Sequence, residues 1–346
     1  MQTLHLYASD PADVTHAAEL LRAGCLVAFA TETVYGLGAN ALNSDAIAGI
    51  FAAKQRPAWD PLIVHLATAD QLLLIADIPA SLASRISHLT SAFWPGPLTL
   101  LLPRAASIPD AVTAGRELVG VRIPGHPAAH ALLAAAGVPI AAPSANLFGH
   151  TSPTTAEHVL ADLDGRIDAI LDAGPTSIGL ESTVLDPTQT PMLLYRPGAV
   201  TAAQLTVATG IPVQLYELSA HTPTEPQSLP SPGVGIRHYA PRARLVLVNP
   251  LEQDELELSL RHPGQLELEA GKQVGLMLPD GWVALAGSHF FSWGDWADPT
   301  ALAHNLFTGL RGLDQRGVDI ILCPLPPPGG LYDAIRDRLR KAALPA

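Results

Sequence analysis

The feature that most constrains the fold is the alternation of short apolar runs with helical patterns over residues 1–200. Leu26–Ala30 precedes the polar triplet Thr31-Glu32-Thr33, which is typical of a buried strand. A capping residue at Asn43 or Ser44 predicts a helix that continues through Ala53. The same criteria predict strands at Leu62–Leu66, Leu98–Leu102, Leu118–Ile123 and Ala169–Asp172, and helices at Pro127–Ala136 and Thr154–Leu163. Strands that alternate with helices predict an α/β or α+β sheet domain.

The pattern changes after residue 212. The stretch His221–Pro232 is rich in Pro, Ser and Thr and has no periodicity, which predicts a linker. The patterns beyond it predict strands at Leu245–Val248, Val274–Leu278 and Ile320–Cys323, and helices at Pro299–Arg316 and Tyr332–Ala343. We therefore expect a sheet domain over residues 1–212, a linker over residues 213–243 and a small α/β domain over residues 244–346.

Composition excludes several classes of function. The chain has 32 acidic and 20 basic residues, a formal net charge of −12, and 5% aromatic residues. Proteins that bind nucleic acid directly usually present a basic face and aromatic platforms, so we do not expect direct tRNA binding. No apolar run approaches the roughly 18 residues of a membrane span, and no secretory signal pattern is present. We expect a cytoplasmic protein without a membrane partner.

Two patterns have competing interpretations. The segment Gly36–Ala41 follows a predicted strand and matches the GxGxxA dinucleotide fingerprint, but no acidic residue ends the next strand at the required distance. His126 and His130 stand four residues apart on a predicted helix, but no third metal ligand lies nearby. Cys25 and Cys323 have no metal-binding spacing. We assign no metal site to these residues.

Cationic residues of the first domain concentrate in a few loops. It has nine basic residues, and four lie in segments punctuated by Gly or Pro: Lys54, Arg56, Arg122 and Arg196. Small polar residues also follow the apolar strands: Thr31, Thr33, Ser144, Asn146, Ser182 and Thr183. Guanidinium and ammonium groups at strand ends suit phosphate or carboxylate recognition. The pattern predicts a cation-lined site for an anionic ligand, with structural ion pairs as the alternative.

Ordered motifs in these segments resemble the YrdC-like family over about residues 10–200. They are TETVYGLG at 31–38, KQRP at 54–57, FWPGPLT at 93–99, VRIP at 121–124, APSAN at 142–146, ESTV at 181–184 and RPG at 196–198. The remainder resembles the longer, two-domain form of the family. SPG at 231–233 and RHYAP at 237–241 resemble its interdomain linker, which folds over the active site.

The resemblance implies a fold and an activity. The implied fold is a twisted open sheet with flanking helices and a nucleotide pocket, followed by a smaller Rossmann-like α/β domain. The implied reaction joins L-threonine, bicarbonate and ATP, with Mg²⁺ carried by the ATP phosphates, into L-threonylcarbamoyladenylate and pyrophosphate. The product would serve threonylcarbamoyladenosine formation at tRNA position 37, through a separate tRNA threonylcarbamoyl-transfer machinery that is the implied partner.

The resemblance also implies residue roles. Catalytic roles fall on Lys54, Arg56, Ser144 and Asn146. Threonine binding falls on Thr33, His65, Arg122, Ala142 and Ser182. ATP binding falls on Arg56, Asp60, Leu118, Ser144, Ser152, Arg196, Arg237, His238 and Tyr239.

The chain departs from the family pattern at two places. Asp60 stands where the family usually has Asn, beside the nucleotide. Val234, Gly235 and Ile236 stand where the family linker usually has a Met, a base and an aromatic residue. Two alternative functions remain open at this point. One is an RNA- or ribosome-associated YrdC-like binding protein, and the other is a carbamoyl-transfer enzyme with another acceptor.

Overall fold

The computed structural model describes residues 2–216, 231, 238–248 and 262–345, and the chain divides into two compact units. The described part of the first unit comprises residues 2–148, 152–177, 181–216 and 231. The described part of the second unit comprises residues 149–151, 178–180, 238–248 and 262–345. Each unit combines strands and helices, which confirms the predicted α/β class.

A single mixed sheet organises the described part of the first unit. Its strands are β1 (Leu4–Tyr7), β2 (Val27–Phe29), β3 (Gly36–Asn40), β4 (Ile63–His65), β5 (Leu98–Pro103), β6 (Leu118–Arg122), β7 (Ile140–Ala141), β8 (Ala169–Asp172), β9 (Thr183–Asp186), β10 (Met192–Arg196) and β11 (Val213–Leu215). Their spatial order is β1-β8-β2-β3-β7-β4-β6-β5-β9-β10-β11. The segment predicted as a linker from residue 213 therefore begins with an edge strand.

Strand direction decides which loops leave the sheet on the same side. Strands β2 and β7 run in one direction, because each is antiparallel to β3. Strands β4 and β6 run in the other direction, because they are parallel to each other and β4 is antiparallel to β7. Residues that follow β2 and β7 therefore leave the sheet on the side opposite to the ends of β4 and β6.

Helices of the first unit begin at side-chain caps or prolines. They are α1 (Pro11–Arg22), α2 (Ser44–Lys54), α3 (Ala80–Phe93), α4 (Asp110–Thr113), α5 (Pro127–Ala136), α6 (Ala156–Leu163) and α7 (Ala202–Thr209), with a 3₁₀ helix at Ala69–Leu74. Asn43 accepts hydrogen bonds from the backbone of Asp45 and Ala46 and so fixes the start of α2. Gly137 ends α5 in the left-handed conformation at φ 68°. The predicted starts of α2 and α5 are confirmed.

The sheet is covered by apolar residues on both faces. Val27 and Phe29 of β2 pack with α1 and α5, whereas Ala28 between them packs with Ile47 and Ile50 of α2. This period of two is what a strand buried on both faces requires. Helix α2 therefore packs against one face of the sheet, and its last residue is Lys54.

The second unit contains a smaller parallel sheet. Its described strands are β12 (Arg244–Val248), β13 (Val274–Leu278), β14 (His289–Ser292) and β15 (Ile320–Pro324), in the order β12-β15-β13-β14. Its described helices are α8 (residues 262–269), α9 (Pro299–Gln315) and α10 (Leu331–Ala342). Val274, Leu276, Ile320 and Leu322 form its core. This architecture confirms the expected small α/β unit.

A search of the described helices for a bilayer-crossing segment found none with sufficient length and apolarity.

Candidate functional site

Arg122 is the centre of a buried polar cluster, the Arg122 cluster, which also contains Glu32, Thr33 and His65. Arg122 ends β6 and is paired in register with His65 at the end of β4. Its Nε donates to His65 Nε2 at 2.9 Å, and its Nη2 donates to Thr33 Oγ1 at 3.0 Å. Thr33 follows β2 on the opposite side of the sheet, so these contacts cross the sheet face. The predicted residues of this cluster therefore come from both ends of the strands, because the sheet is mixed.

His65 is neutral in this cluster. Burial, and then the neighbouring Arg122 cation, lower the pKa of His65 well below its ordinary 6.5. The Nδ1 atom lies 3.2 Å from the Ile63 carbonyl, to which it donates, so Nε2 is left as the acceptor for Arg122. Burial also lowers the pKa of Arg122; Glu32 opposes that change and the charge of Arg196 adds to it. The guanidinium groups of Arg122 and Arg196 are therefore close enough to repel each other.

Glu32 is a member of this cluster that the sequence analysis did not assign to the site. Its Oε1 lies 3.6 Å from Nη1 of Arg122, and the residue is 7% exposed. The signal available in the sequence was its position between Thr31 and Thr33, two threonines already noted after a buried strand.

Arg196 organises the segment around Ser182. Its Nε donates to the Ser182 carbonyl at 3.0 Å, and its Nη2 donates to the Ser182 hydroxyl at 3.1 Å. The Ser182 hydroxyl also lies 2.8 Å from the hydroxyl of Thr99. The end of β10 and the starts of β5 and β9 lie on the same side as the end of β6, because β5 and β6 are antiparallel. Arg196 and Ser182 therefore meet on one side of the sheet. The expectation that Ser182 and Thr183 follow a strand is wrong, because Ser182 precedes β9 and Thr183 begins it.

Lys54 and the segment after β7 form a second group. The Lys54 ammonium donates to the backbone carbonyls of Ser144, at 2.7 Å, and of Asn146. The backbone amide of Phe148 donates in turn to the Lys54 carbonyl at 2.9 Å. Lys54 is 1% exposed, so its charge is held within the protein rather than at the surface. The lysine therefore shapes the segment that carries Ser144 and Asn146.

Arg56 forms a buried ion pair with Asp60. Its Nη2 lies 2.9 Å from Oδ2 of Asp60, and its Nε and Nη2 donate to the carbonyls of Asp60 and Pro61 at 3.1 and 2.7 Å. Gln55 ends α2 with a left-handed φ of 53°, which turns the chain toward Arg56. The carboxylate that replaces the family's usual Asn is thus the counter-ion of a predicted catalytic arginine.

Three further predicted residues occupy separate positions in the first unit. Ala142 follows β7, and its amide donates to the Ile63 carbonyl at 2.8 Å. Leu118 begins β6 and packs on an apolar cluster that includes Ile63. Ser152 is fully buried and donates its hydroxyl hydrogen to the carboxylate of Glu181, a partner the sequence analysis did not identify.

Two predicted ATP-binding residues belong to the second unit. His238 and Tyr239 are buried, with ring centroids 4.2 Å apart in an edge-to-face arrangement. The Arg338 guanidinium carbon lies 5.2 Å from the centroid of the Tyr239 ring. The third, Arg237, lies outside the described residues, as does the departure at residues 234–236.

His126, one of the two histidines considered as metal ligands, caps a helix. Nδ1 of His126 accepts a hydrogen bond from the amide of Ala128 at 3.2 Å and caps α5. His130 lies on the exposed side of that helix. The contacts of His126 are those of an ordinary helix start.

The fold and the buried polar cluster together define a class: an α/β protein with buried arginines, a buried lysine, and hydroxyl and imidazole groups that contact the arginines. The Sua5/YciO/YrdC family model, described as telomere recombination, matches residues 19–198. The model described as the C-terminal domain of threonylcarbamoyl-AMP synthase matches residues 200–344. This chain belongs to the threonylcarbamoyl-AMP synthase family, in its two-domain form, which confirms the resemblance stated from the motifs.

Similar proteins cover nearly the whole chain. A relative from Pyrococcus abyssi named threonylcarbamoyl-AMP synthase is 41% identical over 331 residues, covering 94% of this chain and 93% of the relative. A relative of the same name from Bacillus subtilis is 41% identical over 343 residues, covering 99% and 95%. The solved structure of Pyrococcus abyssi Sua5 complexed with L-threonine has a TM-score of 0.88 and 40% identity, covering 99% of this chain and 98% of that one.

Proposed function

We propose that this chain makes L-threonylcarbamoyladenylate and pyrophosphate from L-threonine, bicarbonate and ATP. The observation that carries the proposal is the Arg122 cluster, where a buried guanidinium is held by a neutral imidazole and a hydroxyl. Such a group suits a small carboxylate, and the similar Sua5 structure is a complex with L-threonine. Family membership and nearly full-length similarity support the same reaction.

On the threonine side, Arg122 binds the amino-acid carboxylate. Neutral His65 orients the guanidinium without adding a competing positive charge. The remaining threonine-binding residues in the proposal are Thr33, Ala142 and Ser182. Thr33 and Ser182 supply hydroxyl groups close to the two arginines, which suits a substrate with both a carboxylate and a hydroxyl.

On the nucleotide side, Lys54 and Arg56 neutralise the triphosphate, which arrives with Mg²⁺ as MgATP. Protein sites for Mg²⁺ usually rely on substrate phosphates, and Asp60, the carboxylate closest to Arg56, is already paired with that arginine. Ser144 and Asn146 hydrogen-bond the phosphates or orient the carbamate in this proposal. The further ATP-binding residues in the proposal are Asp60, Leu118, Ser144, Ser152, Arg196, Arg237, His238 and Tyr239. Arg196 hydrogen-bonds to Ser182, a proposed threonine-binding residue. We therefore propose that Arg196 contacts the nucleotide where it lies next to threonine.

The chemistry demands positioning more than strong acid or base catalysis. Bicarbonate yields CO₂ and hydroxide, and the threonine amine forms a C–N bond to that CO₂. The proton lost by the amine and the hydroxide leave as water, so a carbamate remains. A carbamate oxygen then attacks the α-phosphorus of ATP, the bond from that phosphorus to the bridging oxygen breaks, and pyrophosphate leaves. Because several anions must meet, buried cations that are already oriented supply most of the rate. We propose that the product passes, in the cytoplasm, to separate machinery that modifies tRNA position 37.

The test is pyrophosphate release from purified protein with ATP, Mg²⁺, bicarbonate and L-threonine, omitting one component at a time. We expect release only when both L-threonine and bicarbonate are present. Release that is indifferent to threonine would indicate another acceptor or a plain ATPase. A folded protein that releases no pyrophosphate under any combination would contradict the proposal.

A further inference from the structure

Glu32 is a buried carboxylate of the first unit whose environment is incomplete. Within the part of the chain that the structure describes, neither of its carboxylate oxygens accepts a hydrogen bond. Its nearest cation is Arg122, whose Nη1 lies 3.6 Å from Oε1, beyond hydrogen-bonding distance. Nη1 itself donates no hydrogen bond to any described residue. A buried acid and a buried base therefore face each other, each with unused hydrogen-bonding capacity.

Such an arrangement is costly unless a ligand completes it. An ionised group without hydrogen bonds loses the solvation that water would give, and a distant counter-ion replaces only part of it. The pair is not solvent-screened, because Glu32 is 7% and Arg122 is 3% exposed. Groups kept in this state are typical of binding sites.

The charges of Glu32 and Arg122 indicate which kind of ligand would complete their hydrogen bonds. A free α-amino acid carries an ammonium and a carboxylate on one carbon, and a buried carboxylate beside a buried guanidinium is the complement of that zwitterion. A divalent cation alone fits poorly, because the Arg122 and Arg196 charges repel it and it brings no carboxylate to offset them, as an amino acid does. No cluster of three or more metal-ligating side chains was found among the described residues either.

We propose that Glu32 binds the α-ammonium group of L-threonine, opposite the Arg122 guanidinium that binds the carboxylate. The inference rests on the proposed function and adds a binding residue to it. Glu32 would hold the nitrogen that must become the carbamate nitrogen at a fixed place relative to Arg122. It would also reject ligands that carry the carboxylate and hydroxyl of threonine but lack the amine.

The test compares two ligands on the full chain by isothermal titration calorimetry: L-threonine and (R)-3-hydroxybutyrate, which is threonine without its amine. Glu32→Gln keeps the size of the side chain and removes its charge. We expect the variant to bind L-threonine about 10-fold to 100-fold more weakly, with binding of (R)-3-hydroxybutyrate unchanged or stronger. Glu19→Gln, at an exposed position on α1, removes one charge elsewhere and should change neither affinity.

Two outcomes would overturn the inference. Glu32→Gln could bind L-threonine as the wild type does, or it could lose affinity for both ligands equally, which would mean that Glu32 only holds Arg122 in place. Glu32→Asp, which keeps the charge, should recover part of the threonine affinity and provides a second variant should the glutamine protein not fold. Wild-type protein that binds no L-threonine would overturn this inference and the proposed function together.

Discussion

Arg122 and His65 show how one residue sets the chemical state of another. The guanidinium donates to a ring nitrogen that must be unprotonated, and burial keeps it so. A protonated His65 would place a second positive charge against Arg122 in a region of low dielectric, which is strongly unfavourable. The neutral imidazole is therefore a condition for the geometry of the whole cluster.

Stability should depend on the titration of His65. The folded pKa lies below the unfolded value near 6.5, so the unfolded chain binds the proton more readily. The contribution to stability is complete above about pH 6.5 and is lost as the pH falls below it, by at most about 1.4 kcal/mol per pH unit. Urea unfolding between pH 5 and 8 tests this. His65→Gln should flatten the dependence, and identical curves for both proteins would contradict the assignment.

Lys54 carries a buried positive charge and also holds the backbone of a neighbouring segment by hydrogen bonds. Lys54→Ala removes the ammonium that holds the carbonyls of Ser144 and Asn146 and that we propose neutralises the triphosphate. A lost charged donor costs about 2–4 kcal/mol of transition-state stabilisation, so turnover should fall on the order of a hundredfold. Arg56→Ala should behave similarly. Pyrophosphate release measures the effect, with the exposed Lys272→Ala as control; near-normal turnover of Lys54→Ala would contradict its role.

Asp60 links stability to nucleotide affinity. Asp60→Asn removes the carboxylate that pairs with the buried Arg56, and breaking a buried ion pair costs about 3–5 kcal/mol of folding stability. The same change removes a negative charge from the proposed phosphate site. We expect a lower melting temperature and tighter ATP binding, measured by thermal unfolding and calorimetry. ATP affinity that does not change would show that Asp60 is incidental to the nucleotide.

At the scale of elements, the sequence predicts segments with a distinct start signal well, whereas the long helices α1 and α3 were not predicted. Helices α2, α5 and α9 begin within a residue of their predicted starts, because Asn43, Pro127 and Pro299 are distinct start signals. Strands β1, β3, β7, β9, β10, β11 and β14 were not predicted. All seven are two to five residues long, too short for a period of two to be separated from chance.

The sequence predicts which residues belong to the candidate site but not how they are arranged in space. Motifs singled out Arg122, His65 and Thr33, but their mutual arrangement depends on strand directions that no local pattern contains. Glu181 and Thr99 were missed because their partners lie 29 and 83 residues away in the chain. Pairing across such separations is decided by the packed sheet rather than by neighbouring residues.

Two glycines of adjacent elements provide a matched test of packing. A Cβ at Gly38 in β3 would lie 2.9 Å from the Phe29 ring and 3.2 Å from the Val27 carbonyl, so Gly38→Ala should destabilise by about 1–3 kcal/mol. A Cβ at Gly49 in α2 would meet Leu26 at 3.4 Å, an ordinary contact. Gly49→Ala should be neutral or stabilising by up to about 1 kcal/mol. Denaturant unfolding of both compares them, and equal effects would contradict the packing argument.

At the scale of the whole molecule, charge argues against direct RNA binding. The chain carries a net charge of −12, so its long-range field repels a polyanion. We expect filter binding with tRNA to show no saturation below about 100 µM at roughly 0.15 M salt. Tight binding that weakens steeply with added salt would support the RNA-associated alternative.

The pairing of β1 has a consequence for biosynthesis. β1 contacts no sheet neighbour other than β8 among the described strands, and Leu4 pairs with Ala169. A ribosome adds about 5–20 residues per second, so the nascent chain spends roughly 8–33 s before the partner of its first strand exists. During that interval the N-terminal segment has an open backbone edge in a crowded cell. A sheet that closes this late leaves one backbone edge of its first strand unpaired until residue 169 has been synthesised.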